Sequence, residues 1–557
     1  MVNVKNLFGM AVMATALVGC SSNDNLAPDG NEGNKTGEAY ASFIINLPTT
    51  GGTRATDGEP TFEHGDAKEY EVKNGTILIF DTDGKFVTSA QLGNMNPWKD
   101  IKTDGVTTAA TATVQLTNVK VGGDYQALVL LNNDVDATTT KVKLPVVGVK
   151  YSAWNADASN ADAVKYASTD GIFMANAPKY NGTSTEPTTL VPVANICASR
   201  EQAEAQPATT VYVERGLAKV TMQKFTDGGY PIKSGTYEGG NVEITAWQLD
   251  VTNKSTFPVH QTDGLMAAWD QIWNVGRFYD NKSSLFKRVY WGVDPNYSES
   301  TLKDLTACKD AFNMITNDKV VGEAGIENPQ YCLENTFDLA NMMQGQTTRV
   351  VFKAVFTPKN FATGQTFFKI GNNTAIWSEE NLAQQIKTVA LTVMGITNAD
   401  EQAKYGVDLS KGTNISGVAG LHKIEAENIT YTGDVQSKVT VTEKVVNAIN
   451  DKLGLKETGI STYLNGKAYY IARIKHFNEM TPWTAGTPYD GDNNAFLGRY
   501  GVLRNNWYDL SVNSISGLGY PDVPEVKPTV PDDENEQYIN VEVKILDWAK
   551  RSQNINL

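Results

Sequence analysis

Short apolar runs at a two-residue period, each closed by turn residues, set the terms on which this chain can fold. In Tyr40–Leu47, the residues Ala41, Phe43, Ile45 and Leu47 take alternate positions, the spacing that places them on one face of a strand. Strand-like runs recur at Thr76–Phe80, Asp124–Asn132, Thr210–Phe225, Val242–Val251, Arg349–Phe356, Lys467–Lys475 and Trp507–Ile515. Asp81-Thr82-Asp83-Gly84 closes one of them as a tight turn and lacks the terminal glutamate of a calcium loop. Helical spacing is confined to Met266–Val275, Leu302–Ile315, Glu380–Ile396 and Val441–Leu453, between strands of the second half. At 557 residues the chain exceeds one ordinary core. The pattern predicts an all-β fold of two β-sandwich domains, residues 55–232 and 233–536, the second decorated with short helices.

The N-terminus carries a processing signal. Lys5 precedes the apolar stretch Leu7 to Val18, and Leu17-Val18-Gly19 leads to Cys20. Residues 1–20 therefore read as a signal peptide, too short to span a membrane. Their end resembles a bacterial lipobox, with Cys20 as the lipid carrier; an ordinary leader with an incidental cysteine is the other reading. Residues 21–38 are polar and rich in Gly and Asn, as a tether behind a lipid would be. Export permits disulfides, so Cys308 and Cys332 are a candidate pair, with Cys197 left over.

The two ends of the chain match each other. Ala41, Phe43, Ile45 and Leu47 alternate near the N-terminus, and Ile539, Val541, Val543 and Ile545 alternate near the C-terminus. Pro521, Pro524, Pro528 and Pro531 stiffen the approach to the C-terminal run, and the tail ends on Ile555 and Leu557. Arg54 stands among small polar residues directly behind the first strand, which suits an exposed, cleavable segment. A cut between Arg54 and Ala55 would remove residues 21–54 and leave an open edge. An alternating strand of residues 537–557 from a neighbour is chemically fit to fill it. Two edge strands and a loop arginine without any such role are the plainer reading of the same periodicity.

A resemblance bears on that choice. Val129-Leu-Leu-Asn132, Tyr331-Cys-Leu-Glu-Asn-Thr-Phe337, Gly466-Lys-Ala-Tyr-Tyr470, Tyr500-Gly-Val-Leu-Arg-Asn505 and Ser514-Ile-Ser-Gly-Leu-Gly519 follow one another in an order similar to that of the Bacteroidales fimbrillins. These are shaft subunits of type V pili, and the minor-fimbria type is the most similar. The resemblance implies two transthyretin-like sandwiches, lipidation at Cys20, and cleavage at Arg54 and Ala55 by an arginine-specific protease. It further implies head-to-tail polymerisation through the C-terminal strand, with other copies, anchor and tip subunits as partners. The outer membrane would hold the precursor through its lipid. The Cys308/Cys332 pair is not carried over from the family.

Other chemistry finds little footing. The net charge of −15 and the lack of a basic cluster argue against nucleic acid. His64, His260, His422 and His476 do not cluster in sequence, and no nucleotide-binding, metalloprotease or nucleophile-elbow motif occurs, so no enzyme, cofactor or metal is expected. Asp490–Asn494 reads as an exposed loop without a bidentate glutamate for calcium. Trp247, Trp269, Trp273 and Trp377 could line a glycan site, and a surface lipoprotein that binds glycans for an uptake system is the rival from another class. Sustained helical repeats, on which such proteins are built, are absent. A tip or anchor subunit is the alternative within the pilus class.

Overall fold

A computed structural model describes residues 38–48, 65–93, 99–103, 106–134, 138–180, 187–265, 278–279, 287–477, 496–533, 539–546 and 551–552. The protein is mostly β, 32% strand against 18% helix, and is divided among several sheets.

The first sheet has nine strands. They are β1 (Ala39–Pro48), β2 (Gly75–Phe80), β3 (Phe86–Gln91), β4 (Lys99–Thr103), β5 (Val106–Leu116), β6 (Gln126–Leu131), β7 (Met174–Asn176), β8 (Val191–Pro192) and β9 (Thr209–Arg215). Their order is β3-β2-β6-β7-β9-β1-β5-β4, with β8 paired to β6. The sheet rolls until β3 returns to β5, where the hydroxyls of Thr88 and Thr117 are 3.1 Å apart. β2 and β6 are continuous apolar runs because both their faces are covered. Ile77, Ile79, Val129 and Leu131 point into the roll beside β1, while Leu78, Phe80, Leu128 and Leu130 pack outward on Trp154, Tyr166 and Trp507.

Gly216 and Leu217 carry the chain from the first sheet into the second, which holds β10 (Ala218–Met222), β15 (Gln330–Cys332), β24 (Trp507–Ile515), β25 (Ile539–Leu546) and β26 (Arg551–Ser552) in the order β15-β10-β24-β25-β26. A third sheet orders β11 (Tyr230–Pro231), β12 (Asn241–Asp250), β16 (Arg349–Thr357) and β23 (Lys467–Arg473) as β11-β12-β16-β23. Val220, Met222 and Leu510 of the second sheet meet Trp247, Phe352 and Tyr470 of the third in one core, as in a sandwich. A small ribbon, β13 (Thr252–Asn253) with β14 (Phe312–Asn313), lies alongside.

The expected helices fall largely between β16 and β23. There, β17 (Phe367–Ile370), β18 (Ile376–Trp377), β20 (Gly420–His422) and β22 (Ile460–Tyr463) form a sheet, and β19 (Tyr405–Val407) pairs β21 (Ile429–Tyr431). The helix Glu379–Met394 starts at a Ser378 cap and stops at Gly395, whose φ is 70°. The helix Glu443–Lys452 packs with it over Leu382, Ile386 and Ile449. Leu302–Ile315 shortens to the helix Leu305–Ala311, and Met266–Val275 lies outside the described residues.

The strands of the first sheet, β8 apart, form one path. β9 turns it, pairing with β1 over Thr209–Tyr212 and with β7 over Val213–Arg215, so that β1 and β2 face each other across one core. One expectation needs restating: Cys308 and Cys332 do not pair, and both are free thiols. They sit in different cores: Cys308 packs with Val251, Leu302 and Phe312, whereas Cys332 packs on β15 behind β10.

Candidate functional site

The site is the slot that β1 fills. On one side β1 runs antiparallel to β5, with Ala41 opposite Val114, Phe43 opposite Ala112 and Ile45 opposite Ala110. On the other it runs parallel to β9, from Phe43 opposite Thr209 to Asn46 opposite Tyr212. Near its start, Tyr40 and Cys197 exchange two backbone hydrogen bonds of 2.8 Å. Both edges of β1 are thus paired, and β1 is the link between β9 and β5.

Ala39, Ala41, Phe43, Ile45 and Leu47 all point into the roll and are at most 1% exposed. Small side chains across the ladder make room for them: Ala112 lies opposite Phe43 and Ala110 opposite Ile45. Burying Phe43, Ile45 and Leu47 stabilises the roll by roughly 1.5–3 kcal/mol each. The other face of β1 is polar and specifically bonded. The Ser42 hydroxyl lies 2.8 Å from that of Thr113 and donates to the Ala203 carbonyl at 3.0 Å, under the short helix Arg200–Ala205. Asn46 shares a side-chain hydrogen bond with Tyr212. Arg200 donates to the Thr113 carbonyl at 2.9 Å and covers the Tyr40 ring.

Among the described residues, the expected donor strand is not brought to this slot. β25 carries Ile539, Val541, Val543 and Ile545, and its backbone pairs with β24, Ile545 opposite Tyr508 and Val543 opposite Leu510. β26 folds back on β25 through Arg551 and Ser552. Cys20, Arg54, Ala55, Ile555 and Leu557 lie outside the described residues.

Sequence reasoning missed the buried charges between the first and second sheets. Glu69, in the helical turn Ala67–Tyr70, pairs with Lys219 of β10. Arg504 grips Glu334 and also donates to the Tyr166 hydroxyl at 3.0 Å. His260 and His476 are core residues with both ring nitrogens hydrogen-bonded, to Glu214 and the Trp291 carbonyl, and to Tyr508 and the Tyr290 carbonyl. Trp247 is fully buried and donates to the Glu323 carbonyl. Among the described residues no group of three or more acidic, histidine or cysteine side chains is placed to hold a metal ion.

Residues 461–554 match the family described as Major fimbrial subunit protein type IV, Fimbrillin, C-terminal. That span holds β23, β24, β25 and β26. A search of curated proteins finds no match. Among solved structures, a candidate cell adhesion protein from Parabacteroides distasonis is 11% identical, with 92% of this chain and 99% of that one covered at a TM-score of 0.37. A second, from Bacteroides eggerthii, is 11% identical over 93% of this chain and 98% of that one, at a TM-score of 0.34. A fimbrial assembly protein from Parabacteroides distasonis is 12% identical over 58% of this chain and 86% of that one, at a TM-score of 0.27. Residues 461–554 are thus a fimbrillin C-terminal domain.

Proposed function

We propose that this chain is the shaft subunit of a bacterial surface fimbria, a type V pilus, built from transthyretin-like domains. It is exported as a lipoprotein on Cys20, cut between Arg54 and Ala55 by an arginine-specific protease, and polymerised head-to-tail by strand donation. The reading is carried by one observation: the strand just ahead of Arg54 is paired on both edges and holds the first sheet together. Cutting after Arg54 separates β1 covalently from everything that follows. Its departure would leave the facing edges of β5 and β9 unpaired around an apolar interior, which is strongly driven to accept another strand. A C-terminal segment from the next copy is the donor, and a head-to-tail contact of this kind propagates. Anchor and tip subunits would close the two ends of such a filament.

N-terminal sequencing of subunits from shed filaments tests this. Ala55 is expected as the first residue, and Arg54→Ala should accumulate as lipidated monomer. Polymerised subunits that still carry Cys20 and its lipid would overturn the reading.

A further inference from the structure

β1 and the C-terminal tail share a local sequence that the slot itself explains. Ser42-Phe-Ile-Ile-Asn-Leu47 and Ser552-Gln-Asn-Ile-Asn-Leu557 carry the same residue at four of six positions. All four have defined places in the slot, and of the two that differ Phe43 is buried there as well. Ser42 bonds Thr113 and the Ala203 carbonyl, Asn46 bonds Tyr212, and Ile45 and Leu47 are buried in the roll. β25 offers a cruder match: with Ile539, Val541, Val543 and Ile545 set against Ala41, Phe43, Ile45 and Leu47, it has Asn540 where β1 has Ser42 and Lys544 where β1 has Asn46.

Resting on the strand-donation reading above, we propose that Ser552–Leu557 of a neighbouring copy occupies the place of Ser42–Leu47, residue for residue and in the same direction. Ser552 then takes the two bonds of Ser42, Asn556 that of Asn46, and Ile555 and Leu557 the two apolar sites. β25 stays in its own sheet, where it pairs with β24 from Ile539 to Leu546. Among the described residues, the tail gives up the pairing of Arg551 and Ser552 with Ile545 and Lys544. What it gains is a ladder on β5 and, at the positions of Phe43–Asn46, a second on β9. The mismatch orders the two events. Gln553 stands where β1 has the fully buried Phe43, so the tail fills the slot less well than β1 and enters only once β1 is gone.

Cysteine pairs in the polymer test the register. Ile45 and Ala110 are directly opposed, a separation that suits a disulfide. Ala110→Cys with Ile555→Cys is expected to give ladders of covalent oligomers on a non-reducing gel. If Ala110→Cys links to Val543→Cys or Ile545→Cys instead, the donor is β25; this inference fails and strand donation stands. Polymer that links through none of these pairs overturns both. Peptides added to dilute, Arg54-cleaved protein freed of β1 give a second measure that needs no variant of the protein. The peptide 549–557 should bind, Leu557→Asp should weaken it at least tenfold, and Gln553→Phe should tighten it roughly tenfold or more. A Gln553→Phe peptide that binds no tighter than the parent would show that Gln553 does not take the Phe43 site, and would overturn the register.

Discussion

Glu69 Oε1 stands 2.7 Å from Lys219 Nζ, with Glu69 fully buried and Lys219 2% exposed. The contact crosses from the helical turn between β1 and β2 of the first sheet to β10 of the second. Tyr331 of β15 donates its hydroxyl to the same carboxylate, and Arg215 of β9 donates to the Glu69 carbonyl at 2.7 Å. One acidic residue therefore gathers groups from both sheets. It also lies just downstream of the proposed cleavage site, so it would hold the new N-terminal segment of a cut subunit against the body.

Lys219→Ala should destabilise the protein by about 3–5 kcal/mol, because it strands a buried carboxylate. Burial pushes the Glu69 carboxyl up, but the Lys219 charge and the hydrogen bonds from Lys219 and Tyr331 outweigh it and hold it below the ordinary range. A depressed carboxyl stabilises the fold above its unfolded value, about pH 4.3, and that contribution is lost as pH falls through the lower folded value. Urea midpoints measured from pH 7 to pH 3 should thus fall below about pH 4 in the parent. The fall should be shallower in Glu69→Gln; equal slopes would remove Glu69 from the account.

Arg504 makes a forked contact with Glu334, one arm at 2.8 Å, and reaches Tyr166 and Thr256 with its remaining donors. A lysine keeps the charge and loses the fork. Arg504→Lys should therefore cost at least about 2 kcal/mol in chemical denaturation. Combined with Tyr166→Phe it should cost less than the sum of the two, because both changes break one network.

Cys308 and Cys332 should label as separate thiols, and a reducing agent should leave the melting temperature unchanged. Burial pushes the Cys308 thiol up to about 11 and Cys332 up to about 12. Both should therefore react slowly with maleimide at pH 8 until denaturant is added. A mass two hydrogens short of the free-thiol value would contradict this.

What could be read from the sequence was whatever depends on near neighbours. The alternation in Ala41, Phe43, Ile45 and Leu47 marked β1 as a strand, and apolar residues at three- and four-residue spacing over Glu380–Ile396 marked the helix Glu379–Met394. The central place of β1 was not legible, because its two partners, β5 and β9, come from distant parts of the chain. Thr210–Phe225 read as one run, yet it serves two sheets. The break falls at Gly216, where any Cβ would lie 2.5 Å from the Tyr166 ring. Glu69 with Lys219, and Glu334 with Arg504, are likewise ordinary surface residues until the fold brings each pair together. The strand that fills the slot was legible, but the slot's polar fittings at Thr113, Ala203 and Tyr212 were not.

Phe43 gives the sharpest separation between a strand that belongs to the fold and one that only holds a place in it. It is fully buried, opposite Ala112 on one side and Thr209 on the other. In the uncut chain Phe43→Ala should cost about 3–5 kcal/mol, as truncation of a packed aromatic does. In filaments assembled after cleavage at Arg54 the same substitution should cost nothing, since Phe43 has left with β1. Denaturation of the two forms side by side makes the comparison. The uncut variant should also lose β1 more readily, so that its slot opens to protease and to strand exchange sooner than the parent's. Equal destabilisation of the filament would mean that β1 remains in place after cleavage, and the donor would then have to add elsewhere.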